Sequence, residues 1–168
     1  MITAIIFDWG DTVMRELPDF PGKMVDAPHV QAMPGITDAL RTLQPDYRVL
    51  MASNANVSTS ADIRAALRRV GLDGYFEIVL SSADLGVSKP DPAYYRAVLE
   101  ACGCDPGAVV MVGDTFDKDI LGAKQAGMRA VWYNWKHAAL PPGAPFLPDA
   151  TVHDLTELAG VVRRLTAP

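Results

Sequence analysis

The sequence predicts an α/β fold in which a doubly wound parallel sheet lies between two layers of helices, a three-layer α/β/α arrangement. Three observations predict it. Short apolar runs rich in branched residues alternate with helix-length amphipathic segments. The runs are continuous rather than alternating, as parallel strands covered on both faces require. With 168 residues, 49% of them hydrophobic, the chain can remove roughly 70% of its unfolded surface from water, enough for one core without staples.

In chain order, strands are expected over Thr3 to Asp8, Tyr47 to Ser53, Phe76 to Leu80, Val109 to Gly113 and Arg129 to Tyr133. Helices are expected over Ile36 to Leu43, Thr59 to Val70, Pro92 to Ala101 and Asp119 to Ala126. Several boundaries have local causes. Asp91-Pro92 offers a carboxylate N-cap followed by proline at the first helical position, where its missing N–H costs nothing. Gly71 and Gly127 follow helical runs and suit left-handed C-caps. Asp154-Leu-Thr-Glu157 resembles a capping box that opens a final helix to about Leu165.

Two proline-rich stretches break the alternation, 14–34 and 136–148. Both are too short to be domains, so 1–168 reads as a single domain. The first leaves the end of the first strand and overhangs the carboxyl edge of the sheet, where ligands of such folds bind. It reads as a lid-like insert, with Lys23 and His29 as residues that either touch substrate or are merely exposed.

Composition excludes some function classes. The net charge of −5 and pI near 5.0 argue against nucleic acid as a partner, since such domains usually carry a basic face. No apolar stretch approaches the roughly 20 residues that cross a bilayer, which argues against a membrane, and Met1-Ile2-Thr3-Ala4 lacks signal-peptide character. A cytoplasmic protein is expected, with Cys102 and Cys104 as free thiols, and a homo-oligomer is left open.

Four polar groups fall at or just after expected strand ends or ahead of a helix: Asp8, Ser53, Lys89 and Asp114. Strand ends of a parallel sheet open on one edge, which gathers two carboxylates, a hydroxyl and an ammonium into one crevice. Two carboxylates about 4 Å apart at an effective dielectric of about 20 repel by about 4 kcal/mol. A divalent cation removes that conflict, and an all-oxygen donor set suits Mg2+ rather than zinc. Such a site would accept an anionic phosphoryl group and leave one carboxylate free to attack it.

Ile5-Ile6-Phe7-Asp8-Trp9-Gly10-Asp11-Thr12-Val13, Leu50-Met51-Ala52-Ser53-Asn54, Ser88-Lys89-Pro90-Asp91 and Val112-Gly113-Asp114-Thr115-Phe116-Asp117-Lys118-Asp119-Ile120 resemble, in order and spacing, the four motifs of the haloacid dehalogenase (HAD) superfamily of hydrolases. The resemblance runs from about Thr3 to Tyr133 and implies a Rossmann-like core without a large cap. It implies Asp8 as a nucleophile forming an aspartyl-phosphate, Ser53 and Asn54 as groups holding phosphoryl oxygens, and Lys89 as the cation beside them. It further implies Mg2+ held by Asp8, the Gly10 carbonyl, Asp114 and Asp119, with Thr12 orienting the loop. Asp117 lies off the acidic positions and is expected to face solvent.

One position departs from the pattern. Phosphatases of this superfamily normally carry an aspartate two residues after the nucleophile as general acid and base, and here that residue is Gly10. Glycine cannot move a proton. Asp11 follows it and reads either as a substitute acid/base or as a turn residue. The expected function is therefore a Mg2+-dependent phosphatase acting on a phosphorylated substrate, with two alternatives: a dehalogenase- or phosphonatase-type hydrolase, or a phosphate-binding regulatory protein with little turnover.

Overall fold

A computed structural model describes residues 1–167. Six parallel strands form one sheet: β1 (Ala4–Phe7), β2 (Arg48–Ser53), β3 (Ile78–Ser81), β4 (Val109–Gly113), β5 (Arg129–Tyr133) and β6 (Ala150–Val152), in the order β3-β2-β1-β4-β5-β6. The order reverses at β1, which pairs with both β2 and β4. Phe7 is in register with Met51 on one side and Val112 on the other. Crevices in open α/β sheets form outside the strand ends at such a reversal.

Strand residues alternate between two cores, as a side-chain period of two demands. Ile5, Phe7, Val49, Met51, Val110 and Val112 point into the layer built with α1 (Ile36–Leu43), α2 (Ser60–Arg69) and α6 (Leu158–Thr166). Ala4, Ile6, Leu50, Ala52, Val109 and Met111 point into the opposite layer, where Tyr94, Tyr95 and Val98 of α4 (Pro92–Cys102) and Ala123 of α5 (Gly122–Gln125) meet them. A short α3 (Ser82–Leu85) follows β3 directly. The three-layer expectation is met.

The caps expected at Asp91, Gly71 and Gly127 form, whereas Asp154 caps a 3-10 turn at Leu155–Glu157 without the reciprocal capping box and α6 starts only at Leu158. Asp91 accepts a hydrogen bond from the Ala93 amide with proline at the helix start, Gly71 and Gly127 adopt φ of 73° and 82°, and Asp154 accepts from the Thr156 amide. Thr59 and Asp62 form a reciprocal capping box on α2. Other elements also differ from the sequence reading, the short α3 among them. The stretch expected as one helix over Asp119 to Ala126 begins as a π-helix at Phe116–Leu121 and continues as α5. β6 is a sixth strand in a stretch that the sequence reading leaves unassigned.

The 14–34 segment contains a single 3-10 turn at Met24–Asp26, and isolated bridges pair Met14 with both Gly10 and Ala32. It is fastened to α2: the Arg69 guanidinium donates to the carbonyls of Val25, Ala27 and Pro28 at 2.9, 2.6 and 3.0 Å. No helix among the described residues is long and apolar enough to cross a membrane. Because one side chain ties down three carbonyls of this segment, Arg69→Ala should speed hydrogen exchange at the Asp26 and Ala27 amides by about tenfold or more, while the β1 and β4 amides stay protected. Site-resolved exchange checks this.

Candidate active site

The carboxyl ends of β1, β2 and β4 converge on a cleft of about 190 Å³ lined by Asp8, Ser53, Asn54, Lys89, Asp114 and Asp119, among others. At its floor lies Lys89, 3% exposed. Its Nζ donates to Asp8 Oδ1 at 2.7 Å, Asp119 Oδ1 at 2.7 Å and the Ala52 carbonyl at 3.0 Å. A lysine ammonium has three protons, so all are used. Burial pulls its pKa down, but the facing Asp119 and Asp8 charges outweigh this and hold it well above the usual lysine value.

The Asn54 side chain clamps the Lys89 backbone. Its Nδ2 donates to the Lys89 carbonyl at 2.8 Å and its Oδ1 accepts from the Lys89 amide at 2.7 Å. Lys89 thus takes the amide oxygen and one of the two Nδ2 protons, and the second Nδ2 proton is not used by it. Ser53 is 3% exposed, and its carbonyl accepts from the Tyr94 hydroxyl. Thr12 is buried, its hydroxyl 3.4 Å from Asp8 Oδ2.

Asp114 sits just beyond β4, with its carbonyl anchored by the Trp132 indole N–H at 2.9 Å. Asp119 reaches back from the π-helix to cap the Thr115 amide at 3.0 Å while it binds Lys89. That return depends on Gly113, where a Cβ would fall 2.5 Å from the Asp119 Cβ and closer still to its carboxyl group. The widened π turn and the missing side chain together let a helix-borne carboxylate meet the strand end.

Asp8, Asp114 and Asp119 each offer an oxygen within 4.8 Å of the others. Burial, reinforced by the Asp8 and Asp119 charges, pushes Asp114 up to about 7. Burial also raises Asp119, against the pull of the Lys89 ammonium. An all-oxygen cluster whose carboxylates resist joint ionisation fits a hard divalent cation, with Asp8, Asp114 and the Gly10 carbonyl as the residues that would hold it and Asp119 behind them.

Asp11 is engaged outside the cleft lining. It adopts φ of 52°, its Oδ1 accepts from the Glu16 amide at 3.0 Å, and its Oδ2 lies 3.2 Å from Lys136 Nζ. Lys23 is paired with Asp62 at 2.8 Å, while His29 and Asp117 are exposed. Glu16, Met24, Thr115 and Lys118 also line the cleft, and none of them carried a sequence signal. Burial, with the Asp11 and Asp8 charges, raises the Glu16 pKa. Lys136, from the second proline-rich stretch, stands 3.9 Å from Asp114 at the rim.

This charge arrangement makes stability depend on pH in two ways. Lys89→Met leaves Asp8 and Asp119 unpaired and should cost about 3–5 kcal/mol at neutral pH. Asp119, already raised by burial, would then lose the pull of Lys89 and rise further, so the folded state binds more protons and the deficit should shrink as pH falls from 7 to 5, readable in urea melts. Asp114 titrates near 7 when folded against 3.8 as its ordinary value, so its ionisation weakens the metal-free fold above pH 7 and that loss is relieved as pH drops toward 4. With chelator present, Asp114→Asn should be more stable than wild type at pH 8, by about 1–2 kcal/mol, and the advantage should vanish by pH 4.

Comparison with known proteins agrees with this geometry. A family profile described as haloacid dehalogenase-like hydrolase matches residues 10–127. The chain is 33% identical over 147 residues to the pyrimidine 5'-nucleotidase YjjG of Escherichia coli (strain K12), covering 82% of this chain and 64% of that protein. It is 41% identical over 95 residues to a phosphoserine phosphatase of Thermus thermophilus, covering 56% of this chain and 37% of that one. The chain thus spans less than two thirds of the length of these curated relatives. Among solved structures, a protein from Listeria monocytogenes serotype 4b superposes with a TM-score of 0.88 at 26% identity, covering 98% of this chain and 99% of that chain. A 2-haloacid dehalogenase from Pseudomonas syringae pv. Tomato DC3000 superposes with a TM-score of 0.79 at 26% identity over 98% and 99% of the two chains. By its motifs, its sheet order and these matches, the chain belongs to the haloacid dehalogenase-like hydrolase family.

Proposed function

We propose that this chain is a Mg2+-dependent phosphohydrolase that works through an aspartyl-phosphate on Asp8. One observation carries the reading: the Asp8 carboxylate is held at 2.7 Å by a buried lysine while Asp114 and Asp119 crowd it within 4.8 Å. A bound Mg2+ would offset the crowded negative charge and shield the incoming phosphoryl group. Lys89 fixes one Asp8 oxygen, so the carboxylate meets phosphorus in a set orientation without reorganising. Ser53 supplies a hydroxyl for a phosphoryl oxygen, and Asn54 serves the same group indirectly by fixing Lys89. An Asp8 oxygen bonds to phosphorus as the bond to the leaving oxygen breaks, its electron pair departing with that oxygen. Water then attacks phosphorus, releases inorganic phosphate and restores Asp8.

The names of the nucleotidase and phosphoserine phosphatase relatives support phosphate monoesters as the substrate class. The dehalogenase among the structural neighbours favours a second reading, halide displacement by Asp8. Three crowded carboxylates disfavour that reading, because they would repel a departing halide anion.

The test is phosphate release from a panel of monoesters with Mg2+, run beside halide release from a 2-haloacid. Turnover of at least one ester is expected, lost on chelation and reduced by about 10^3-fold or more in Asp8→Asn. Calorimetric Mg2+ affinity should fall at least about tenfold in Asp114→Asn. Halide release without phosphate release would replace this reading with the second.

A further inference from the structure

We infer that Glu16 is the general acid and base of this site, a catalytic residue that supplies from the insert the carboxylate missing at position 10. This rests on the phosphohydrolase reading above. A Cβ built on Gly10 would fall 2.7 Å from Glu16 Cγ and nearer still to Glu16 Oε1. The carboxylate of Glu16 therefore occupies the space into which a side chain at position 10 would grow. Glu16 lines the same cleft as Asp8, Ser53 and Lys89.

The other carboxylates there are committed. Asp8 and Asp119 share Lys89, Asp114 accepts from the Thr115 hydroxyl and belongs to the cation cluster, and Asp11 is split between the Glu16 amide and Lys136. Among the described residues, the Glu16 side chain has neither an ion-pair nor a hydrogen-bond partner, and its exposure at the cleft mouth lets it exchange protons with solvent. Its backbone, by contrast, is fixed. Asp11 Oδ1 holds the Glu16 amide at 3.0 Å, the Arg15 amide donates to the Gln31 carbonyl at 2.9 Å, and Met14 bridges to Gly10 and Ala32. A held backbone under a free carboxylate is the arrangement that proton transfer needs.

In the first step, protonated Glu16 passes its proton to the leaving oxygen as the P–O bond breaks, and becomes the carboxylate. In the second, that carboxylate takes a proton from the attacking water as the new P–O bond forms, returning Glu16 to its protonated state. An alkyl leaving group needs that first proton far more than an aryl one. Loss of Glu16 should therefore be felt unequally by the two.

The test compares wild type, Glu16→Gln and the double variant Glu16→Gln/Gly10→Asp with Mg2+ on glycerol phosphate and on p-nitrophenyl phosphate. Thermal melts accompany the kinetics. Expected is a loss of about 10^2-fold in kcat on the alkyl ester for Glu16→Gln. On the aryl ester the burst should change by less than about tenfold, with hydroxylamine-labile phosphoenzyme accumulating because the water step has lost its base. The double variant should regain at least about tenfold over Glu16→Gln on the alkyl ester, since the uncharged amide side chain can yield the space to a carboxylate on residue 10. Activity of Glu16→Gln within twofold of wild type on both esters would overturn the inference while leaving the phosphohydrolase standing, as would an equal loss on both without phosphoenzyme accumulation. Wild type inert toward every ester of the panel would overturn both together.

Discussion

The arrangement of this site depends on one buried ammonium. A charged group that is taken out of water costs several kcal/mol unless every donor is met, and the interior around Lys89 is organised to meet them. Its three acceptors come from three places in the chain: Asp8 past β1, the Ala52 carbonyl within β2, and Asp119 on the π-helix after β4. Because these acceptors must converge on one atom, the ends of the central strands are held in a fixed relation. Asn54 adds a second tie between the end of β2 and the Lys89 backbone. The nucleophile candidate is thereby positioned by the same contacts that satisfy the fold, which is how a site reaches preorganised electrostatics without a separate ordering step.

The same ammonium is too little charge for the carboxylates around it. Asp8, Asp114 and Asp119 face a single buried cation, so two negative charges remain uncompensated when all three are ionised. Lys136 stands nearest to Asp114, at 3.9 Å, yet its side chain is 57% exposed and water screens most of its effect. Burial first, and the Asp8 and Asp119 charges after it, raise the pKa of Asp114, the carboxylate without a close cation. A divalent cation would remove this imbalance.

What the sequence made legible was whatever depends on local pattern. β1, β2, β4 and β5 lie where continuous apolar runs place them, because burial on both faces leaves no other reading for Ile5-Ile6-Phe7 or Val109-Val110-Met111-Val112. β6 is three residues at the sheet edge with no such run, and only its pairing with β5 makes it a strand. The π turn escaped because apolar spacing does not separate it from an α-helix over so short a stretch, and what favours it is the reach of Asp119 to Lys89. Asp8, Lys89, Asp114 and Asp119 meet as their places at the sheet edge require. Asn54 stands in the site with its amide on the Lys89 backbone, a contact that no spacing encodes.

The Gly10-Asp11 pair is where local reading reaches its end. Taken as a string, it is an aspartate lost from one position and gained at the next. In three dimensions the two changes belong together. Asp11 takes a left-handed backbone with φ of 52°, which aspartate tolerates better than most residues, and that turn points its carboxylate at the Glu16 amide. The carboxylate at position 11 thus fastens the start of the insert, and the bare α-carbon at position 10 leaves open the volume into which Glu16 extends. An aspartate at position 10 would need Glu16 to move aside, whereas loss of Asp11 would release the strand that carries Glu16. The exchange of the two residues therefore leaves a carboxylate in the cleft, carried by the proline-rich insert into the space beside Gly10.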